Sequence, residues 1–250
     1  MEPFRVHILG CGSALPTLRH YASSQVVEVR EKLFMLDCAE GTQMQLRRCR
    51  VRFTKLSHVF ITHLHGDHCF GLIGMISSFG LLGRTATLHV HAPVELEPVL
   101  RGQIDFFTHD LGFDVQFHSV DTTRHAVIYE DRSVMVETIP LQHRMPCCGY
   151  LIREKGVLPH IRRDMLDFYG IPLSQVNNIK NGAGWETEDG VTIPHERLTM
   201  PAEKPRSYAY CSDTRYMENL SKMLKGVDVL YHESTYTKVH EDRAALYWHS

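Results

Sequence analysis

Long apolar runs are missing from this sequence. No stretch approaches the roughly twenty residues that a membrane-spanning helix needs, so no such helix is expected. The opening Met1-Glu2-Pro3-Phe4-Arg5 lacks the basic-then-apolar pattern of a secretory signal. Cysteines at metal-knuckle spacing are lacking too. The seven cysteines include no C-x-x-C pair, and the adjacent Cys147 and Cys148 suit neither an ordinary disulfide nor a zinc knuckle. Reduced, mostly buried thiols in a cytoplasmic protein are the expectation. Excess positive charge is absent: 27 Lys and Arg face 29 Asp and Glu, a net charge of −2 with His neutral. That is not the global signature of a nucleic-acid binder, and any grip on a polyanion must come from a local patch or from bound metal. There is no internal repeat and no low-complexity tract. What remains is an ordinary soluble composition, 43% hydrophobic and 22% charged over 250 residues. It is long enough for one large α/β domain or two small ones.

What the sequence does have is histidine, and one stretch concentrates it. Thr62-His63-Leu64-His65-Gly66-Asp67-His68 holds three imidazoles and a carboxylate. Imidazole nitrogen and carboxylate oxygen suit zinc and similar borderline metals. His58 to Thr62 reads as a short buried strand and Phe70 to Leu82 as a helix. The ligands would then sit on a strand-to-helix loop, where open α/β sheets place ligand sites. His63 and His65, two apart, project to the same side of an extended segment. Asp67 and His68 follow the Gly66 turn toward a second position. Four ligands so close in sequence close poorly around one tetrahedral ion but can be shared between two.

Phe4–Leu9 reads as a strand, Gln25–Arg30 with Leu33–Asp37 as a hairpin, and Gly41–Arg50 as a helix. Further strands are expected at Leu88–His91, Val115–Val120 and Val134–Ile139, with a helix at Val94–Phe107. Hairpins mixed with strand–helix units suggest an α/β sandwich with helices outside. Residues 155–200 differ. They are punctuated by Lys155-Gly156, Gly170-Ile171-Pro172, Gly182-Ala183-Gly184 and Asp189-Gly190. Apart from a helical turn or two at Asp164–Tyr169, no run there is long enough to form a core of its own. The stretch reads as an insertion between a first core part, 1–154, and a second, 201–250. The sheet resumes at Ser207–Cys211 and Val227–Tyr231.

Other candidate site residues follow strands. His143, after a strand in Pro140-Leu141-Gln142-His143, is the best remote imidazole ligand. Asp213, in Tyr210-Cys211-Ser212-Asp213-Thr214, has two oxygens and can bridge two cations. Asp37, at a strand end, can orient a ligand histidine from behind. Glu233, in His232-Glu233-Ser234-Thr235, paired with a histidine such as His249 would make a proton-delivery dyad, the carboxylate holding the imidazole charged near neutral pH.

Taken together, these motifs resemble the metallo-β-lactamase superfamily and, within it, the ribonuclease Z family of tRNA 3′-endonucleases. They are Gly10-Cys11-Gly12-Ser13-Ala14-Leu15-Pro16, Leu36-Asp37-Cys38-Ala39-Glu40-Gly41-Thr42-Gln43, the His-rich loop and His143 before Gly149-Tyr150. Ser212-Asp213-Thr214-Arg215, His232-Glu233-Ser234-Thr235 and His249-Ser250 complete the set. The resemblance implies a four-layer αβ/βα sandwich with a dinuclear zinc site. His63, His65 and His143 would hold one zinc, Asp67 and His68 the other, with Asp213 bridging. It further implies that residues 155–200 are a protruding flexible arm that clasps precursor tRNA, with Arg162, Arg163 and Lys180 as phosphate contacts, and that the protein is a cytoplasmic homodimer. The basic cluster Arg47, Arg48, Arg50 and Arg52 is more simply a solvated face. Two departures from the family pattern stand out. Pro16-Thr17-Leu18-Arg19-His20-Tyr21 replaces its P-x-K-x-R-N loop, and Leu173-Ser174-Gln175-Val176 replaces the Gly-Pro after its Gly-Ile-Pro. The family also has a further histidine ligand beyond the position of His249. A chain ending at Ser250 is therefore expected to lack that ligand and the last strand of the sheet, leaving the second zinc site weak or empty.

The implied reaction is removal of a tRNA 3′ trailer by metal-hydroxide attack, leaving a 3′-hydroxyl on the tRNA. Asp67 would orient the nucleophile, and His249, oriented by Glu233, would protonate the leaving oxygen. The alternatives are a small-molecule phosphodiester or thioester hydrolase on the same scaffold, or a tRNA-binding form impaired in catalysis.

Overall fold

Strands buried on both faces decide the architecture of this protein, described here from a computed structural model of residues 3–15, 17–108 and 110–250. Met1, Glu2, Pro16 and His109 lie outside the described residues, and with them one residue of the glycine-rich motif and the first two of the Met1–Arg5 stretch. β1 (Phe4–Gly10), β2 (Ser24–Val29) and β3 (Lys32–Cys38) form an antiparallel meander. β4 (Leu56–Phe60), β5 (Leu88–Ala92) and β6 (Val115–Ser119) extend it in parallel. Helices α1 (Thr42–Arg48), α2 (Gly66–Cys69), α3 (Gly71–Leu81) and α4 (Leu96–Phe107) fill the connections. Because side chains alternate along a strand, Val26, Met35, Val59 and Val90 enter a core closed by Leu46, Met75, Phe79 and Leu100 of the helices. Their neighbours Val27, Phe34, Leu36 and Phe60 enter a different core on the other face.

The chain next lays down β7 (Val127–Glu130), β8 (Val134–Pro140) and β9 (Cys148–Glu154). Residues 154–205 then form a separate compact unit. It contains β10 (His160–Ile161), α5 (Arg163–Phe168), α6 (Val176–Lys180), β11 (Trp185–Glu186), β12 (Thr192–Ile193), α7 (His195–Leu198) and β13 (Thr199–Met200). β10 pairs with β13 and β11 with β12. This unit corrects one expectation. It has its own small core of Leu166, Ile171, Ile179, Ile193 and Leu198, flanked by Trp185 and Val176. The five residues come from four short elements and, for Ile171, the loop after α5, so no contiguous apolar run announces them.

The remaining elements are β14 (Ser207–Cys211), α8 (Leu220–Met223), β15 (Val229–His232) and α9 (Glu241–Tyr247). A second sheet runs β15-β14-β9-β8-β7. Tyr150, Ile152, Tyr208 and Tyr210 on its inner face meet Phe34 and Phe60 of the first sheet. Leu151, Ala209 and Cys211 on its outer face meet Leu220 and Leu224. Helix, sheet, sheet and helix make the expected four-layer αβ/βα sandwich. Phe34, Phe60, Tyr150 and Tyr210 are fully buried in it, each a contribution of roughly 1.5–3 kcal/mol. Two strands are not expected from the sequence: β7, which forms a hairpin with β8, and β9, which pairs with the distant β14. No helix among the described residues is long and apolar enough to cross a membrane.

One close approach locks the site end of the first sheet. A Cβ on Gly71, at the start of α3, would stand 1.9 Å from the Ala39 carbonyl oxygen. Only glycine lets the helix following the His-rich loop seat directly on the end of β3.

Candidate metal centre and active site

Apart from His249, which follows α9, the candidate site residues lie at or just past the carboxyl end of a strand, so the topology itself gathers them. Asp37 closes β3, His63 to His68 follow β4, His143 follows β8, Asp213 follows β14 and Glu233 follows β15. β4 stops at Phe60 rather than at Thr62, as the sequence suggests, for a local reason. Ile61 N–H still bonds to the His91 carbonyl, but Thr62 N–H turns to Asp37 Oδ1 at 2.8 Å. That switch swings His63 out of the sheet and toward the edge.

Three sets of ligand atoms form there, each within 4.8 Å: His63, His65, His143 and Asp213; Asp67, His68 and Asp213; Asp213, Glu233 and His249. Asp213 belongs to all three. Each key imidazole has one nitrogen anchored from behind, which fixes the tautomer and aims the other nitrogen. His68 Nδ1 donates to Asp37 Oδ2 at 2.7 Å, leaving Nε2 3.5 Å from both Asp67 and Asp213. His143 Nδ1 donates to the Trp248 carbonyl at 3.0 Å, leaving Nε2 3.3 Å from His65 Nδ1. His63 Nδ1 pairs with Thr62 Oγ1 at 3.0 Å, leaving Nε2 3.0 Å from His65 Nδ1 and 3.8 Å from Asp213.

These residues fit divalent cations. His68 Nε2 is buried with no hydrogen-bond partner, a costly state unless something binds it. Burial, then the neighbouring His68, push the His63 imidazole down to about 2. Burial also lowers His65. Both are therefore neutral at pH 7, the form that ligates metal. His68 goes the other way: burial opposes its charge, but Asp37 and Asp213 hold it well above the ordinary histidine range. Burial likewise resists ionisation of Asp213, yet His68 and His63 hold its carboxyl below the usual range. The carboxylates thus demand positive charge at the point where the ligand sets meet. Cys147 Sγ lies 3.9 Å from His63 Nδ1, but burial raises its thiol well above the usual range, so it is not a thiolate ligand.

Beside the cluster opens a cleft of about 970 Å³, lined among others by Cys11, Ser13, Leu15, Tyr231 and His249. His249 Nδ1 is 2.9 Å from Glu233 Oε1. Glu233 also accepts from Thr214 N–H at 2.6 Å and from the Thr235 hydroxyl, so the carboxylate is fixed from three sides. The bond to Glu233 raises His249 above the ordinary range despite partial burial.

Residues 4–159 match the family described as "Anti-Pycsar protein Apyc1". Over all 250 residues the chain is 56% identical to a "Ribonuclease Z" of Bacteroides fragilis, covering 100% of this chain and 82% of that protein. The chain belongs to the ribonuclease Z family. A second member, from Phocaeicola vulgatus, is 55% identical over 100% of this chain and 81% of its own length. The fold agrees. Human tRNase Z, short form (ELAC1), superposes with a TM-score of 0.70 at 22% identity, over 98% of this chain and 83% of that one. The metallo-β-lactamase fold protein YhfI from Bacillus subtilis gives 0.56 at 16% identity, over 92% and 71%.

Within this ribonuclease Z scaffold, several residues that hold the site escape sequence reasoning. Thr62 Oγ1 reaches both oxygens of Asp37 at 3.0 Å, and the Tyr210 hydroxyl donates to Asp37 Oδ2 at the same distance. Asp37 itself has a left-handed backbone, φ 55°, the kind of strain that clusters at functional sites. The Trp248 carbonyl that anchors His143 belongs to another left-handed residue, φ 59°, at the end of α9. Thr62 heads the His-rich run, where the sequence alone assigns it no role. Tyr210 and a backbone carbonyl carry no sequence signal. Of the residues expected to contact phosphate, Arg163 is exposed and Lys180 half-buried. Arg162 is paired with Asp164 at 2.9 Å. Arg48 engages the Tyr21 hydroxyl, while Arg47, Arg50 and Arg52 are exposed.

Proposed function

We propose that this protein is an endoribonuclease that removes the 3′ trailer of precursor tRNA, with zinc as its divalent metal. The observation that carries the reading is the meeting of two metal-ligand sets and a His249–Glu233 dyad on one carboxylate, Asp213. Its likeness to ribonuclease Z over all 250 residues supplies the substrate class. His63, His65 and His143 would hold one zinc, Asp67 and His68 the other, with Asp213 between them. Bound there, zinc supplies Lewis acidity, lowering the pKa of water toward neutrality and offsetting phosphate charge.

The chain's own groups do the rest. Asp37 fixes the His68 ring through Nδ1, and Thr62 and Tyr210 fix Asp37 in turn. Asp67 accepts a hydrogen bond from the attacking water and sets its line of approach to phosphorus. Breaking the P–O3′ bond leaves a 3′-oxygen on the tRNA and a 5′-phosphate on the trailer. With Nδ1 of His249 held by Glu233, the proton for that oxygen comes from Nε2. Residues 155–200 act as the tRNA-binding arm through Arg162, Arg163 and Lys180. The protein works in the cytoplasm, a reading favoured by its seven free cysteines, and as a homodimer, which rests on the family resemblance alone.

Incubating the zinc-supplemented protein with trailer-bearing tRNA should give a single cut at the trailer junction with a 3′-hydroxyl on the tRNA. Intact tRNA alongside hydrolysis of a small phosphodiester would replace this reading with the small-substrate one. Arg163→Ala and Lys180→Ala should raise KM for tRNA and flatten its salt dependence, with small-diester turnover unchanged.

A further inference from the structure

A second groove adjoins the metal cleft. It holds about 610 Å³ and is lined among others by Gln142, Met145, Met217, Asn219, Met223 and Trp248. It shares His143 and Arg144 with the metal cleft, so these two residues form the border between them. We propose that this groove takes the single-stranded RNA trailer of the substrate, with Arg144 on a trailer phosphate and Trp248 stacked on a trailer base. The inference rests on the tRNA-trailer reading above.

Charge sets the two clefts apart. Asp67, Asp213 and Glu233 line the metal cleft. No aspartate or glutamate lines the second groove among the described residues. Two exposed arginines stand beside it instead. The Arg144 guanidinium lies 4.8 Å from the centre of the Tyr247 ring and donates from Nη2 to the Leu246 carbonyl at 2.6 Å. The Arg215 guanidinium lies 5.2 Å from the centre of the Trp248 ring. Its backbone N–H donates to the Gln142 carbonyl at 2.8 Å, at the edge of the groove.

Single-stranded RNA is gripped by this combination, cations for the backbone and aromatic faces for the bases. Each guanidinium is already held against a ring, so little freedom is lost when phosphate binds. The side-chain amides of Gln142 and Asn219 both donate and accept, and so can meet any base edge. Met145, Met217 and Met223 supply a conformable apolar surface for bases of different size.

The proton donor fixes which part of the RNA goes where. His249 lines the metal cleft and not the second groove. The tRNA nucleotide whose 3′-oxygen it protonates therefore sits in the metal cleft. The trailer, joined to the same phosphorus through its 5′-oxygen, leaves over His143 and Arg144. The left-handed backbone at Trp248, φ 59°, serves both sides: Tyr247 lines the metal cleft and Trp248 the groove.

The test compares precursors with trailers of one and six nucleotides. In the parent, KM should be at least about fivefold lower for the longer trailer, the scale of one stacked base. In Arg144→Gln/Trp248→Gly that ratio should fall close to one; glycine suits the left-handed position. A merely structural change shifts KM for both precursors and leaves their ratio alone. A parent ratio near one, or a ratio that survives in the variant, overturns the proposal. Peroxide footprinting leaves the groove itself unaltered. In Asp67→Ala, used so that the RNA stays uncut, Met145, Met217 and Met223 should oxidise in the free protein and be protected by the six-nucleotide precursor alone. Equal protection by both precursors gives the groove to the tRNA body. Protection without RNA gives it to a protein segment or a second copy. Either result overturns the proposal. A parent that cuts no precursor tRNA refutes the proposed function and this inference with it, whereas cutting without trailer-length preference sinks the inference alone.

Discussion

The two histidine clusters use the same side chain in opposite ways. At the strand ends, His68 is anchored by a carboxylate, His143 by a carbonyl and His63 by a hydroxyl, and two further carboxylates face the open nitrogens. On the sheet face, the imidazoles of His58, His89, His91 and His118 pair with one another and pack against aromatic rings. The consequence is electrostatic. Asp37 and Asp213 hold His68 high, whereas burial and its histidine neighbours depress His58 and His91. Histidine content alone therefore says little about chemistry. What stands behind each ring decides whether the site attracts charge strongly or merely tolerates it.

The sharpest way to break this contrast is Asp213→Ala. It removes the one carboxylate common to all three ligand sets. Single-turnover cleavage of precursor tRNA should fall by at least about a thousandfold, the scale of losing a principal electrostatic element. Asp37→Asn tests the anchor instead of the ligand. It should cost roughly 10–100-fold in metal affinity or activity, read by zinc titration against a chelator. Equal affinity would mean that the carboxylate behind His68 does not matter.

Glu233→Gln addresses the proton donor. Its bond to Glu233 raises His249, so in the parent the protonated form persists to higher pH. Removing the charge lowers that value, and the alkaline decline of kcat should begin at a lower pH than in the parent. An unmoved alkaline limb in the pH–rate profile would take His249 out of the proton-donor role. Tyr210→Phe should have the smallest effect. It deletes one buried hydrogen bond to Asp37, worth about 1 kcal/mol or roughly fivefold, visible as a modest loss in zinc affinity with the melting temperature nearly unchanged.

Much of the strand-end cluster was legible in the sequence because four candidate ligands fall within the six positions from His63 to His68. His143, Asp213 and Glu233 could be added because each follows a strand. The supports were not legible. Tyr210 reads as a strand tyrosine, and the Trp248 carbonyl has no side-chain signature at all. The sheet-face cluster is hidden for another reason. His58, His89, His91 and His118 span three strands, and only the parallel register between β4, β5 and β6 brings them together. A single-residue slip would turn one of them to the opposite face. Most strands and both long helices were readable from apolar spacing. The core of residues 154–205 was not, since its five buried residues come from five separate places in the chain.

Asp213 shares its backbone neighbour, Thr214 N–H, with Glu233, and its side chain with both ligand sets. In the proposed reaction, cation capture and proton delivery would both depend on a single loop after β14, so a shift there would disturb both at once. Changes in which RNA is accepted should accordingly accumulate in the glycine-rich rim from Cys11 to Leu15 or in residues 154–205, where they leave that loop intact.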